Sequence, residues 1–336
     1  MTLLFEDDHL PHQKTEAPDW RESYYCNFVD MNSDVCGLFW QGVRPNSRNG
    51  ESVFLLFDDK TDLMRQVNFN VNWENDIPEQ RRSVDYQTFT CLEPWNHWQI
   101  EYRNGADRFL VDWRRLSRTC DWEWGDASRH FQAAGHVSVR GVIGGRDIAF
   151  DGYGERDRAW GIRNYDPIKV CFFYTIQFPD DTAIHAFIQL DPETDSYRLT
   201  GYLHKDGETR GLALFESEHD YSDYDSHPTH GRVRFVDDQG REAVIDHFEI
   251  INYLGKGLEP GGAHFKEGAA GAEKRAFLTF QRFMRDDGVL GRGMIDFNCW
   301  ADQKPRNVLA VAPPLYSTLY DYGDAKWRTA ITEALY

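Results

Sequence analysis

The chain has 336 residues, more than one hydrophobic core ordinarily serves, so two domains are expected. With 37 Lys and Arg against 55 Asp and Glu, its net charge is −18 at pH 7. A field of that sign repels phosphate backbones and anionic headgroups, and no basic run interleaves with aromatics, so nucleic acid is excluded as an expected partner. Aromatic residues make up 15% of the chain, a bias that favours strands and the lining of wide interiors.

The first residues, Met1 to Asp8, have no basic region and no long apolar stretch, so no signal peptide is read there. No run of about 18 apolar residues occurs, and no membrane insertion is expected. The six cysteines (Cys26, Cys36, Cys91, Cys120, Cys171, Cys299) contain no C-x-x-C pair and read as reduced, mostly buried thiols. A cytoplasmic location fits these features.

Along the chain, short apolar or alternating runs lie between turn residues. They are Val53–Phe57, Trp98–Tyr102, Phe109–Trp113, Val137–Ile143, Val170–Phe178, Ala183–Leu190, Tyr197–Leu203, Val233–Val236, Ala243–Ile251, Ala276–Phe283 and Met294–Phe297. In Trp98-Gln-Ile100-Glu-Tyr102 large apolar side chains recur at every second residue, the period of a strand with one buried face. Asn104-Gly105, Gly144-Gly145, Asp206-Gly207 and Asp238-Gln239-Gly240 mark turns at hairpin-like intervals. Only Asp62–Arg65, as one turn, and Asp324–Leu335, with Trp327, Ile331 and Leu335 on one face, read as helix. Gly255–Gly271 reads as a long loop. Gly152–Pro167 reads as the junction between halves, because its glycines and Pro167 punctuate a dense β pattern. The expected class is all-β: two antiparallel barrels or sandwiches, over 1–166 and 167–336, with a short C-terminal helix.

Two segments carry more than fold. Arg129-His130-Phe131-Gln132-Ala133-Ala134-Gly135-His136-Val137-Ser138-Val139-Arg140-Gly141 is followed by Asp151-Gly152-Tyr153-Gly154-Glu155-Arg156-Asp157-Arg158-Ala159-Trp160-Gly161-Ile162-Arg163. The pair resembles the signature "H-F-E-Q-x-G-x-V-x-G … G-x-G-x-R-D-H-S-W-G-x-R" of the carotenoid-hydratase-like lipocalin superfamily, which includes carotenoid 1,2-hydratases, attachment-type tandem lipocalins, kievitone hydratase and fungal cyclases of Diels–Alderase type. The resemblance implies two tandem lipocalin-like domains and cofactor-independent chemistry on isoprenoids or polyketides, with neither metal nor organic cofactor. Two departures stand out. Gln132-Ala133 replaces the family's Glu-Gln, and Arg158 stands where the hydratases carry His, so any role of that His is lost or moved here.

Hydrating an isolated alkene requires an acid to protonate it, aromatic faces to hold the cation, and an oriented water. Within the resembling motif Asp157 is the candidate acid and Trp160 the candidate cation-stabilising wall. The competing assignment for Asp157 is a structural ion pair with Arg156, Arg158 or Arg163. His185 is the second catalytic candidate. In Ala183-Ile184-His185-Ala186-Phe187-Ile188-Gln189 it shares a strand face with Phe187 and Gln189, a mixture suited to a cavity wall. His130, Tyr174, Phe187 and Arg163 complete the expected substrate-binding set.

The cluster His219, Asp220, Asp223, Asp225, His227 and His230 lacks metal-site spacing and reads as a solvated loop. The leading expectation is a hydratase or dehydratase, or an isomerase or cyclase, acting on a terpene-like alkene in an aromatic pocket. A non-catalytic carrier of a hydrophobic small molecule is the first alternative, and a surface-interaction module the second. Oligomeric state is not legible from these features.

Overall fold

The computed structural model describes residues 12, 15–18, 20–73, 81–124, 128–162, 170–191, 194–221, 228–256, 274–300, 307–312 and 317–320. Over these residues the protein is all-β, in two sheets and without a helix. The first sheet uses β1 (Trp20–Val29), β2 (Val35–Arg44), β3 (Asn49–Asp58), β4 (Thr61–Asn72), β5 (Arg81–Val84), β6 (Gln87–Glu93), β7 (His97–Asn104), β8 (Asp107–Arg115), β9 (Thr119–Trp124), β10 (Ser128–Ile143) and β11 (Arg146–Ile162). Its main path runs β4-β3-β2-β1-β11-β10-β8-β7-β6-β5, and β9 pairs with the first part of β10. The sheet curls until its two ends approach. Gln41 of β2 donates its side-chain amide to the Gln87 carbonyl of β6 at 2.9 Å.

The second sheet uses β12 (Val170–Gln177), β13 (Ala183–Asp191), β14 (Ser196–Lys205), β15 (Glu208–Tyr221), β16 (Pro228–Asp237), β17 (Glu242–Lys256), β18 (Lys274–Arg285), β19 (Leu290–Trp300) and β20 (Asn307–Val311). It closes into a barrel where β19 pairs with β12, which removes the free edges of an open sheet. A last strand, β21 (Ser317–Tyr320), returns to the first sheet and pairs with β9.

Every apolar run named from the sequence lies wholly or almost wholly within a strand, because each buries one face. Inside the curled sheet Phe28, Phe39, Phe54 and Phe109 pack ring against ring, with Phe39 stacked on Phe54 at 4.2 Å. Inside the barrel Phe172, Tyr174, Phe215, Phe235 and Phe297 do the same. Two hairpins use the turn chemistry their sequences announce. Gly144-Gly145 and Asp206-Gly207 have positive φ at both central positions, the geometry that matches strand twist in a two-residue turn.

The acidic cluster is not wholly a solvated loop: His219 and Asp220 lie in β15, where His219 is buried, and His230 lies in β16. Three other local expectations differ from the structure. Asp62–Arg65 is not a helical turn but part of β4, where Asp62, Met64 and Arg65 pair with Phe57, Leu56 and Leu55 of β3; strand pairing outweighs local helix preference. Gly152–Ile162, expected within a junction, is the second half of β11. Its glycines serve close approach rather than a turn: a Cβ at Gly154 would lie 2.1 Å from the Asn27 carbonyl oxygen, and one at Gly152 would lie 2.2 Å from that of Val29. Third, Gly255 and Lys256, placed in the long loop, complete β17. The rest of that loop to Gly271, the terminal helix Asp324–Leu335 and the Asp223–His227 part of the acidic cluster lie outside the described residues.

The outer face of β1, β10 and β11 lies against the outer face of β12, β13 and β19. Apolar patches flank this junction. One gathers Tyr25, Leu38, Leu55, Phe57, Leu278, Phe280 and Met294, and the other Cys120, Ala134, Cys171, Phe187 and Tyr202.

Candidate active site between the two sheets

β11 is wall to two compartments. Side chains alternate along a strand, so Glu155, Asp157 and Ala159 face the barrel, while Arg156, Arg158 and Trp160 face the interior of the curled sheet. Arg156 and Arg158 are therefore on the opposite face from Asp157. The partner of Asp157 is His130 of β10, its Nε2 3.2 Å from Asp157 Oδ2.

Two residues away Glu155 meets the barrel. Its Oε1 lies 2.9 Å from Nδ1 of His185 on β13, and both side chains are fully buried. Burial, reinforced by the nearby charge of Asp157, pushes the Glu155 carboxyl well above its ordinary range, although the Tyr202 hydroxyl pulls the other way. Burial and the neighbouring His130 push the His185 imidazole well below its ordinary value. Both partners are driven to the neutral form. These directions favour a carboxylic acid facing a neutral imidazole over an ion pair.

The Phe173 ring joins the two pairs. It lies edge-to-face with His185 at 4.6 Å, stacks with His130 at 6.0 Å, and meets Phe187 at 6.3 Å. Asn27 fixes the adjoining backbone, taking the Glu155 amide proton on Oδ1 at 2.8 Å and donating through Nδ2 to Thr175 Oγ1 of β12 at 2.7 Å. The Tyr25 hydroxyl, which burial makes harder to ionise, donates to the Met294 sulfur at 3.0 Å. Gln132, cross-strand from Asp157, and Gln177 of β12 are fully buried, and among the described residues their side-chain amides have no hydrogen-bond partner. Such amides suit a hydroxyl or water held between the sheets.

The structure thus brings together Asp157, His185, His130 and Phe187 from the sequence-derived set. Trp160 lies across the β11 wall, stacked on His12 at 3.8 Å and edge-on to Phe131 at 5.9 Å. Tyr174 points into the barrel core, its hydroxyl 3.2 Å from His219 Nε2. Arg163 lies outside the described residues. Glu155, Gln132, Asn27, Thr175 and Phe173 had no role assigned from sequence. Glu155 and Gln132 stand within the motif, and their strand parity relative to Asp157 and His130 was the available signal. Two open surface grooves, of about 340 and 330 Å³, lie on the outer wall around His136 and Tyr153 and around Arg108 and Phe109, and contain none of these residues. No group of three or more potential metal ligands occurs among the described residues.

A family described as "Domain of unknown function (DUF7064)" matches residues 6–298. The chain belongs to that family. No curated protein matches the DUF7064 chain in sequence. Among solved structures, a Nitrosomonas europaea protein described as AttH superposes with a TM-score of 0.60 at 16% identity, covering 88% of this chain and 96% of that one. CghA follows with 0.59 at 11% identity, covering 85% and 90%, and kievitone hydratase from Nectria haematococca with 0.54 at 11%, covering 83% and 89%. The DUF7064 chain therefore shares the lipocalin-like fold of these proteins over most of its length.

Proposed function

We propose that the strip between the two sheets is an acid–base site that adds water to, or removes it from, an apolar alkene-bearing small molecule of terpene type, or isomerises or cyclises it, by side-chain chemistry alone. The observation carrying this reading is the fully buried Glu155–His185 pair, a carboxylic acid kept protonated by its surroundings beside aromatic rings. The fold shared with a protein named kievitone hydratase supports the same direction.

In the hydration sense, Glu155 gives its proton to one alkene carbon, and the tertiary cation forms against Phe173 and Phe187. Each well-placed ring stabilises such a cation by roughly 0.5–2 kcal/mol. Water held by Gln132 adds to the cation and loses a proton to His130, which Asp157 orients and whose charge it stabilises. The proton taken by His130 returns to the Glu155 carboxylate through His185, which accepts it on one ring nitrogen as it gives up the proton of the other. One water is consumed and both side-chain pairs end as they began; dehydration is the reverse. The motif's resemblance to carotenoid 1,2-hydratases agrees with an isoprenoid substrate, and the chain's features agree with a cytoplasmic enzyme comprising two lipocalin-like domains, 1–166 and 167–336.

The test is incubation with acyclic terpenes and their alcohols in oxygen-18 water, with products read by mass spectrometry. Label in a tertiary alcohol is the expected result. Ligand retained without turnover, in parent and variants alike, would overturn catalysis in favour of a carrier.

A further inference from the structure

The interior of the curled sheet holds a second cluster of charge that the site between the sheets does not use. Arg156 is 3% exposed, and its guanidinium carbon lies 4.2 Å from the Trp98 ring centre, 5.4 Å from that of Trp113 and 5.6 Å from that of Phe131. Among the described residues neither Nε nor Nη1 of Arg156 has a hydrogen-bond partner. Aromatic faces attract the cation but accept no strong hydrogen bond, so five directed donors are only partly served.

The buried carboxylates of Glu22 and Asp121 serve other cations. Arg82, Arg129 and Arg158 face the same interior, together with the buried carboxylates of Glu22 and Asp121. Both carboxylates are engaged. Glu22 lies 3.3 Å from Arg82 and 3.2 Å from Arg158, and Asp121 is paired with Arg129 through both of its oxygens. Arg156 thus lies in a region walled by Tyr24, Trp98, Trp113 and Phe131, where the buried carboxylates of Glu22 and Asp121 pair with other arginines. A buried guanidinium with unused donors in a planar fork is the chemistry that receives a carboxylate.

We infer that Arg156 and its aromatic box form a binding site for an organic carboxylate, separate from the site between the sheets and facing the opposite side of β11. The carboxylate sits on the open edge of the Arg156 guanidinium, with any apolar body against Trp98 and Phe131. At the same end of the interior His12 stacks on Trp160 and lies 3.0 Å from Glu22, on the wall that such a ligand would pass. The far end is filled by the Phe28, Phe39, Phe54 and Phe109 stack, so the charged head is held near the Arg156 end.

The experiment titrates the full chain with dodecanoate, dodecanol and acetate by calorimetry and tryptophan fluorescence, and repeats this with Arg156→Met and Arg156→Lys. Dodecanoate is expected to bind at least tenfold more tightly than dodecanol, and Arg156→Met to lose that preference while melting no lower than the parent. Arg156→Lys, with the charge but not the fork, is expected to retain an intermediate preference. Acetate competing with dodecanoate would identify a small carboxylate as sufficient; dodecanoate alone binding would show that the apolar body is required. Equal binding of acid and alcohol, or a carboxylate preference unchanged in Arg156→Met, would overturn the inference.

Discussion

Replacing Glu155 by glutamine separates a buried acid from a buried ion pair, because the two predict opposite signs. In the unfolded chain a glutamate loses its proton near 4.5, whereas the folded environment holds Glu155 protonated to well above that value. Between those points folding takes up a proton, so this group's contribution to stability falls as pH rises, by about 1.4 kcal/mol per pH unit. His185 acts at the other end. It is neutral when folded well below 6.5, so below that pH unfolding takes up a proton and stability falls as pH drops. Together they leave a plateau between about 4.5 and 6.5, with a loss on either side. A glutamine at 155 keeps the shape and can donate to His185 Nδ1, but it has no proton to hold. The difference in urea-unfolding free energy between E155Q and the parent, which cancels every other titrating group, is therefore expected to grow with pH in favour of E155Q, reaching about 3 kcal/mol at pH 7. Turnover is expected to fall at least a hundredfold in the same variant. A difference flat with pH, or E155Q several kcal/mol less stable at pH 7, would refute the neutral-pair reasoning and make Glu155 a structural anion.

Asp157→Asn is expected to lower turnover by two orders of magnitude or more with little change in melting, because the amide oxygen still accepts from His130; unchanged turnover would remove Asp157 from the chemistry. Glu22 behaves oppositely to Glu155. Burial alone would raise its carboxyl, but Arg158, the His12 hydrogen bond and Arg82 hold it at about 2. Its stabilisation is fully present above 4.5 and lost as pH falls toward 2, so Glu22→Gln should cost about 3 kcal/mol at pH 7 and progressively less in acid, a difference that parallel acid titrations would read. Gly154→Ala puts a methyl group 2.1 Å from the Asn27 carbonyl oxygen, which is backbone and cannot turn aside. A loss of about 3 kcal/mol by denaturant unfolding is expected, and a change under about 0.5 kcal/mol would show that β1 and β11 can separate without cost.

The strands were legible because each buries one face and the period of two survives in the sequence. What lay beyond reach was which compartment each face serves. For β12, nothing in Phe172-Phe173-Tyr174-Thr175 tells that even-numbered positions enter the barrel core while Phe173 and Thr175 meet the first sheet. For β11 more was available: Asp157 and Trp160 are three residues apart and cannot share a strand face, so they were never able to line one pocket. The glycines of Gly152–Gly161 were read as punctuation because glycine in sequence does not distinguish a turn from a close approach; the facing carbonyls of Val29 and Asn27 decide that. Glu155 passed without a role because its significance is its depth, a tertiary quantity.

The two-sided character of β11 also restricts how such a protein can diverge. Insertion or loss of one residue upstream of Glu155 would invert the strand's parity, delivering Arg156 and Arg158 to the imidazoles and both carboxylates to the tryptophan-lined interior. Each chamber would then receive the wrong sign of charge at once. Gradual change along this strand is therefore confined to substitution, and a variant chemistry on one side has to be reached without disturbing the count on which the other side depends.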